Sequence, residues 1–168
     1  ADVTLIAGTT SIATPVKLKC EHVMTAAEMQ TAVLANMTEC DIFLAVAAVC
    51  DYRVSEVASQ KIHKVSETEN LSLLRNPDIV KSVAALKNKP FIVGFAAETE
   101  NVVAQAKVKR LAKGMNMIIA NRIDGNHGMG SDDNAVTVIT PETEVHLPLQ
   151  SKHKLARELI TLIAAEWR

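Results

Sequence analysis

Residues 42–53 read IFLAVAAVCDYR, an apolar run that ends abruptly in a carboxylate, a phenol and a guanidinium, and Lys61 follows ten residues after the aspartate. The run from Ile42 to Val49 is typical of a strand buried in a sheet. In an open α/β sheet, ligands bind in the crevice at the carboxyl ends of the strands. We therefore expect the charged cluster of Asp51, Arg53 and Lys61 to lie at a ligand site.

The composition predicts one domain and excludes several classes of protein. The 168 residues are 48% apolar but only 3% aromatic, which suits a parallel sheet covered by helices. A net charge of −1 does not favour nucleic acid as a partner. Cys20, Cys40 and Cys50 lack metal-ligand spacing, which indicates reduced thiols in a cytoplasmic protein. No apolar run reaches the roughly 18 residues of a membrane span, so no membrane role is expected.

Strand and helix signals alternate along the chain, and together they predict the fold class. Strands are expected at 1–8, 41–49, 91–97 and 115–120, helices at 24–37, from 76, at 99–113 and from 151 to about 166, and a hairpin at 135–140 and 144–149. Thr25 and Glu28 fit a capping box, Asn76 and Ser151 fit N-caps, and Gly114 fits a helix end. This order predicts a Rossmann-like, mostly parallel sheet with helices on both faces and a C-terminal antiparallel hairpin.

Two long polar stretches and the start of the chain also carry predictions. Residues 51–69 are a long polar loop of the kind that is commonly functional. Residues 122–133 are rich in glycine and aspartate, so the 125–134 segment is either a lid or a plain connection. His127 has no partner at ligand spacing, and no metal site is assigned to it. The sequence opens within a strand, and we expect that a preceding β-α unit of the single domain 1–168 is missing.

Asp51 and Lys61 are the leading candidates for chemistry. A carboxylate at a strand end can accept hydrogen bonds from ribose or a base, or hold magnesium through water. A lysine in the adjoining loop can neutralise charge that develops on a phosphoryl group. The alternative is an exposed ion pair of little energetic value.

Three further features are candidates whose alternatives are structural. The Asn76-Pro77-Asp78-Ile79 turn is a helix N-terminus that can bind an anion, or simply a well-capped helix. Lys109 and Lys113 share a helical face beside an apolar stripe of Ala104, Val108 and Leu111. An anionic ligand would offset their repulsion, but a solvated basic last turn is the alternative. Phe95 can stack on a nucleobase or fill the core. Gly-x-Ser-x-Gly, P-loop and Gly-x-Gly-x-x-Gly motifs do not occur.

Five motifs occur in order along the chain: AAVCDYR at 47–53, KIHK at 61–64, NPDI at 76–79, GFAAET at 94–99 and SDDN at 131–134. In this order the chain resembles phosphopantothenate–cysteine ligase, the C-terminal half of a bifunctional bacterial flavoprotein of coenzyme A biosynthesis. The resemblance implies a homodimer, joined in the hairpin region, that uses CTP and Mg²⁺ to link 4′-phosphopantothenate to L-cysteine. FMN would belong only to a fused N-terminal decarboxylase domain outside these residues.

The resemblance also implies a set of CTP-binding positions. They are Ala45, Val46, Ala47, Asp51, Lys61, Asn76, Pro77, Asp78, Ile79, Phe95, Lys109 and Lys113, with Lys61 as the catalytic residue. Cys50 stands where alanine is common in the family, and residues 122–134 resemble a strap over the intermediate. The family's first strand, glycine-rich turn and Asn-x-x-Ser-Gly segment are not among these residues. The alternatives are a non-catalytic nucleotide-binding domain and a nicotinamide-dependent oxidoreductase.

Overall fold

The structure, a computed structural model, describes residues 1–62, 67–68, 70–122 and 131–168. The elements are β1 (Thr4–Ala7), β2 (Lys19–His22), α1 (Ala26–Ala35), β3 (Ile42–Ala45), β4 (Tyr52–Val54), β5 (Leu73–Arg75), α2 (Ile79–Ala84), β6 (Phe91–Glu98), α3 (Val102–Lys113), β7 (Met117–Arg122), β8 (Asp133–Ile139), β9 (Glu144–Ser151) and α4 (Lys152–Trp167). They fall into two compact units, residues 1–35 with 47–79 and residues 36–46 with 80–168. The prediction of a single domain stays a prediction.

The second unit is built on a five-stranded sheet in the order β3-β6-β7-β8-β9. Strands β3, β6 and β7 are parallel to one another, and β8 and β9 continue the sheet as an antiparallel hairpin. A turn at Thr140 closes the hairpin, where the Thr140 N–H donates to the Thr143 carbonyl oxygen at 3.0 Å. The predicted fold class, a Rossmann-like sheet of mostly parallel strands with a C-terminal hairpin, is confirmed.

Helices cover both faces of this sheet. One face packs on α4 through the buried residues Val93, Met117, Ile119, Val136, Val138, Leu155, Leu159 and Ile163. Side chains alternate between the faces of a strand, so Ile92, Ile118 and Ala120 belong to the other face, and they too are buried. Helix α3 packs against β6, β7 and β8. Burial on both faces explains the nearly continuous apolar run of β7. As predicted, Ser151 caps α4, its Oγ accepting from the Lys154 N–H at 3.4 Å.

The prediction that residues 42–49 form a buried strand is wrong. Strand β3 ends at Ala45, no residue of the run is fully buried, and the Val46 side chain is 61% exposed. The reason is the position of β3 at the edge of the sheet, where β6 is its only partner among the described residues. An apolar run therefore marked a strand correctly, but burial depends on neighbours that the run does not encode.

The predicted buried stripe of α3 is also wrong. Val108 and Leu111 are 63% and 71% exposed, whereas Ala106 is completely buried. The helix begins at Val102, three residues after its predicted start, behind Asn101 with a left-handed φ of 48°. The predicted end is confirmed, because Gly114 adopts φ 67° and its N–H donates to the carbonyl oxygens of Arg110 and Leu111. Ala106 is the buried residue of the helix, and its small side chain lets the helix backbone approach the sheet closely.

The first unit contains two small sheets and α1. Strand β1 is parallel to β2, and β4 is antiparallel to β5. The capping box of α1 is confirmed: the Glu28 N–H donates to Thr25 Oγ1 at 3.1 Å, and the Thr25 N–H donates to Glu28 Oε2 at 3.2 Å. A further bond from the Met24 N–H, with that of Thr25, lowers the pKa of Glu28. Leu34, predicted on the apolar face of α1, is exposed.

A homodimer joined through the hairpin is expected to pair at an exposed apolar edge of Val136, Val138 and Val145, and this edge is wrong as a surface, with Val145 partly buried against the core. The Val136 and Val138 side chains are buried, at 3% and 2% exposure, and β8 is an interior strand. The outer strand of the hairpin is β9, which carries Pro148 and an exposed Leu149. Proline is tolerated in a terminal strand of this kind, and one side of β9 has no ladder partner within the described ranges. Within the described residues no helix is long and apolar enough to cross a membrane.

Candidate functional site

In the first unit, two of the sequence motifs meet through Asn76. The Asn76 N–H donates to the Asp51 carbonyl oxygen at 2.8 Å, and Asn76 Nδ2 donates to the Cys50 carbonyl oxygen at 2.9 Å. Arg53 Nη1 donates to the Arg75 carbonyl oxygen at 2.8 Å and to Asn76 Oδ1 at 3.2 Å. Residues 50–53 and 75–76 are therefore fixed against each other, although they lie more than twenty positions apart.

The pairing of β4 with β5 explains how these segments meet. Tyr52 lies opposite Arg75, and Val54 lies opposite Leu73. The ladder continues through the Ser55 N–H, which donates to the Ser72 carbonyl oxygen at 2.9 Å. The prediction that 51–69 is entirely a loop is therefore wrong at its start. The strands escaped prediction because three residues are too few to show an alternating pattern, and residues 63–66 and 69 lie outside the described part.

Asp51 and Lys61 are both exposed. Among the residues that the structure describes, the two side chains form no ion pair with each other, and the Asp51 carboxylate accepts no hydrogen bond. The alternative of a surface ion pair is thus not supported. The Asp51 backbone is held by its contact with Asn76, and its exposed carboxylate has no hydrogen-bond partner among the described residues.

The prediction that the Asn76 side chain caps a helix is wrong. Helix α2 begins at Ile79, and both ends of the Asn76 amide are used by Cys50 and Arg53. Pro77 and Asp78 lie between this link and the helix. Since α2 has only six residues, the turn serves to hold the 50–53 segment rather than to begin a long helix dipole.

In the second unit, Ala45 and Val46 lie at the carboxyl end of β3. Ala45 is opposite Gly94 in the parallel pair with β6, and β6 continues past this point to Glu98. Phe95 is partly buried and packs against the core cluster beneath α4. The reading of Phe95 as a core residue is thus confirmed, while its stacking on a nucleobase stays a prediction.

On the face of α3 that carries Lys109 and Lys113, the positive charge has an acidic neighbour, Glu98. Lys109 Nζ lies 2.5 Å from Glu98 Oε1, with the side chains 46% and 17% exposed respectively. This oxygen of Glu98 is buried and has no hydrogen-bond partner among the described residues. The ammonium group of Lys109 is its charged neighbour. Lys113 is half-buried in the last turn of the helix. Glu98 already offsets the repulsion that we expected an anionic ligand to offset.

A cavity of about 390 Å³ lies directly after β6 and is lined by Thr99, Glu100, Asn101 and Val102. It stands at the carboxyl end of a parallel strand, where the fold class favours ligands. Within the described ranges no three His, Cys, Asp or Glu side chains form a metal cluster.

Comparison with known proteins assigns the chain. The family model of the DNA/pantothenate metabolism flavoprotein C-terminal domain matches residues 1–166. The chain belongs to this family. One relative is the coenzyme A biosynthesis bifunctional protein CoaBC of Vibrio cholerae. It is 45% identical over 167 residues, which cover 97% of this chain and 42% of that protein. The Escherichia coli protein of the same name is 41% identical over 172 residues, covering 99% and 42%.

Two solved structures share the fold of this chain. The crystal structure of the C-terminal domain of a CoaBC protein gives a TM-score of 0.78 at 31% identity, covering 96% of this chain and 72% of that one. The DNA/pantothenate metabolism flavoprotein from Streptococcus pneumoniae gives 0.79 at 17% identity, covering 98% and 81%, and supports the fold. The chain spans less than half the length of the curated CoaBC relatives.

Sequence reasoning missed two residues that shape the candidate site. Arg53 was expected in the charged cluster at the strand end but was given no structural role, and it proves to tie two segments of the flavoprotein C-terminal domain together. Glu98 was overlooked as the partner of Lys109. Its position as the charged last residue of an apolar strand is the signal that could have found it. His127 lies outside the described residues, as do most of the predicted lid at 125–134 and most of the strap at 122–134.

Proposed function

We propose that the chain is the CTP-dependent ligase part of a coenzyme A biosynthesis enzyme, which joins 4′-phosphopantothenate to L-cysteine. Family membership over residues 1–166 supports the proposal. The observation that carries it is the link through Asn76, because it unites two of the family motifs and leaves the Asp51 carboxylate open. A non-catalytic nucleotide-binding domain is the alternative, and it would bind CTP without releasing pyrophosphate.

The proposed chemistry has two steps. A carboxylate oxygen of 4′-phosphopantothenate attacks the α-phosphorus of CTP, a new P–O bond forms, and the bond to the β-phosphate bridge breaks to release pyrophosphate. The product is an acyl-cytidylate. The amine of cysteine then attacks the activated carbonyl carbon, loses a proton, and displaces CMP to leave an amide. Both steps place charge on phosphate oxygens, so cationic groups provide most of the stabilisation.

We assign the residues of the chain to roles in these steps. Lys61 stabilises charge on the α-phosphate in the transition state. Asp51 accepts hydrogen bonds from ribose or cytosine, and the Asn76–Ile79 turn holds Asp51 in position. Phe95 and the backbone of residues 45–47 hold the cytosine ring. Lys109 and Lys113 meet anionic groups of the ligands. When bound, magnesium neutralises phosphate charge, and the open carboxylate of Asp51 fits a metal that arrives with the nucleotide.

We also propose the assembly in which this reaction occurs. The protein is a cytoplasmic homodimer, and it carries a fused N-terminal decarboxylase domain that holds FMN. Support for the dimer comes from β9, which is the terminal strand of the sheet among the described residues and carries an exposed Leu149, so it suits pairing with a second copy. A monomeric mass of the intact protein by light scattering at micromolar concentration would contradict the dimer.

The reaction assay tests the proposed function against its alternatives. Pyrophosphate release by the intact protein should require CTP and phosphopantothenate, and amide formation should require cysteine in addition. Calorimetric titration should show tighter binding of CTP than of ATP, because a site that hydrogen-bonds one base leaves polar groups unpaired with another. Equal binding of the two nucleotides would count against a cytidine site. Binding of a nicotinamide cofactor without pyrophosphate release would favour an oxidoreductase.

A further inference from the structure

A thiol and an imidazole that have no role assigned above lie together in the first unit. Cys20 and His22 are alternate residues of β2 and therefore point to the same side of the strand. The Cys20 Sγ lies 3.6 Å from His22 Nε2, which is within hydrogen-bonding distance for sulfur. Cys20 is half-buried and His22 is exposed, so small molecules can reach the pair.

Thr14 completes the cluster from the preceding loop. Its Oγ1 lies 3.3 Å from His22 Nε2 and 3.9 Å from Cys20 Sγ. With the ring proton on Nδ1, Nε2 can accept the thiol proton. The Thr14 hydroxyl can then donate to the thiolate that forms. A thiol with an adjacent base and a nearby donor is the arrangement that activates cysteine as a nucleophile.

We propose that Cys20 is a modification site for low-molecular-weight disulfides, with His22 as the base. The Cys20 sulfur attacks one sulfur of the disulfide while its proton passes to His22 Nε2. The S–S bond of the reagent breaks, and one half stays on Cys20 as a mixed disulfide. The other half leaves as a thiolate and takes the proton from the imidazolium. Reduction by another thiol reverses the exchange.

The two other cysteines provide references within the same molecule. Cys40 is half-buried, its S–H donates to the Ile42 carbonyl oxygen at 3.3 Å, and burial raises the pKa of its thiol. It should therefore react slowly. Cys50 is exposed and reports the reactivity of an accessible thiol. Exposure alone would make Cys50 faster than half-buried Cys20, so the opposite order identifies activation by His22.

The experiment uses the intact, fully reduced protein with cystine as the probe and without other oxidants. Peptide mass mapping of acid-quenched samples gives the rate at each cysteine. Cys20 should form its mixed disulfide roughly tenfold faster than Cys50, and Cys40 should be slowest. His22→Gln should abolish this advantage, while Thr14→Val should reduce it by a smaller factor. The control His153→Gln, an exposed histidine of α4, should change nothing.

The order of rates in the unaltered protein decides the proposal before any variant is made. A Cys20 that reacts no faster than Cys50 would overturn it. So would a His22→Gln variant that keeps the rapid reaction while its circular dichroism and melting temperature match those of the parent. Neither result would affect the proposed ligase function, because Cys20 and His22 have no role in that reaction.

Discussion

Lys61→Gln should lower the rate of acyl-cytidylate formation by about 10²–10³-fold, because it removes a charge that stabilises the transition state. The side chain is exposed, so the exchange costs little burial and should leave the fold intact. Pyrophosphate release in a single turnover of the intact protein measures the effect. Since the charge matters most as phosphate charge develops, the rate constant should fall more than the affinity for CTP.

Lys107→Gln is the matched control for this experiment. Lys107 is also an exposed lysine, and it lies on α3. Its Nζ lies 2.8 Å from Oε2 of Glu144 on β9, and it has no proposed role in the reaction. Its loss should leave pyrophosphate release within about twofold of the parent, as expected for a surface ion pair of little value. Equal rates for Lys61→Gln and Lys107→Gln would remove Lys61 from the mechanism.

Val138→Asp should lower the free energy of unfolding by about 4 kcal/mol or more, because it places an unpaired charge in the core. Val138 is 2% exposed and packs in the cluster that joins the hairpin to α4. Urea titration followed by circular dichroism measures the change. The same substitution would have been expected to yield a folded monomer if Val138 lay on a dimer surface.

His146→Asp is the control, because His146 lies on the adjacent strand β9 with its side chain exposed. This variant should stay within about 1 kcal/mol of the parent, as surface exchanges usually do. A folded Val138→Asp variant with unchanged stability would show that the β8 face is not packed as described.

Local signals were the part of the fold that the sequence predicted well. The Thr25–Glu28 capping box, the Ser151 cap and the Gly114 helix end all depend on residues within a few positions of each other. The β8–β9 hairpin was equally readable from its alternation and its turn. Burial was predicted poorly, since whether Val46 or Leu111 is covered depends on which element packs beside it.

The candidate site shows the same limit. Ordered motifs predicted that Asp51 and Asn76 belong to a ligand site, but they did not predict that the Asn76 N–H bonds directly to the Asp51 backbone. That contact depends on the pairing of β4 with β5, two strands too short to leave a pattern. Long-range pairing decided by a few residues is therefore the step at which inference from this sequence stops.

The ion pair between Glu98 and Lys109 has a consequence for how the site responds to salt. Glu98 acts as an internal counterion, so an anionic ligand that contacts Lys109 meets an ammonium group that is already neutralised. Dissolved salt has correspondingly less attraction left to screen. Affinity for an anion bound at Lys109 should thus fall more gently with ionic strength than an unpaired lysine at this position would predict.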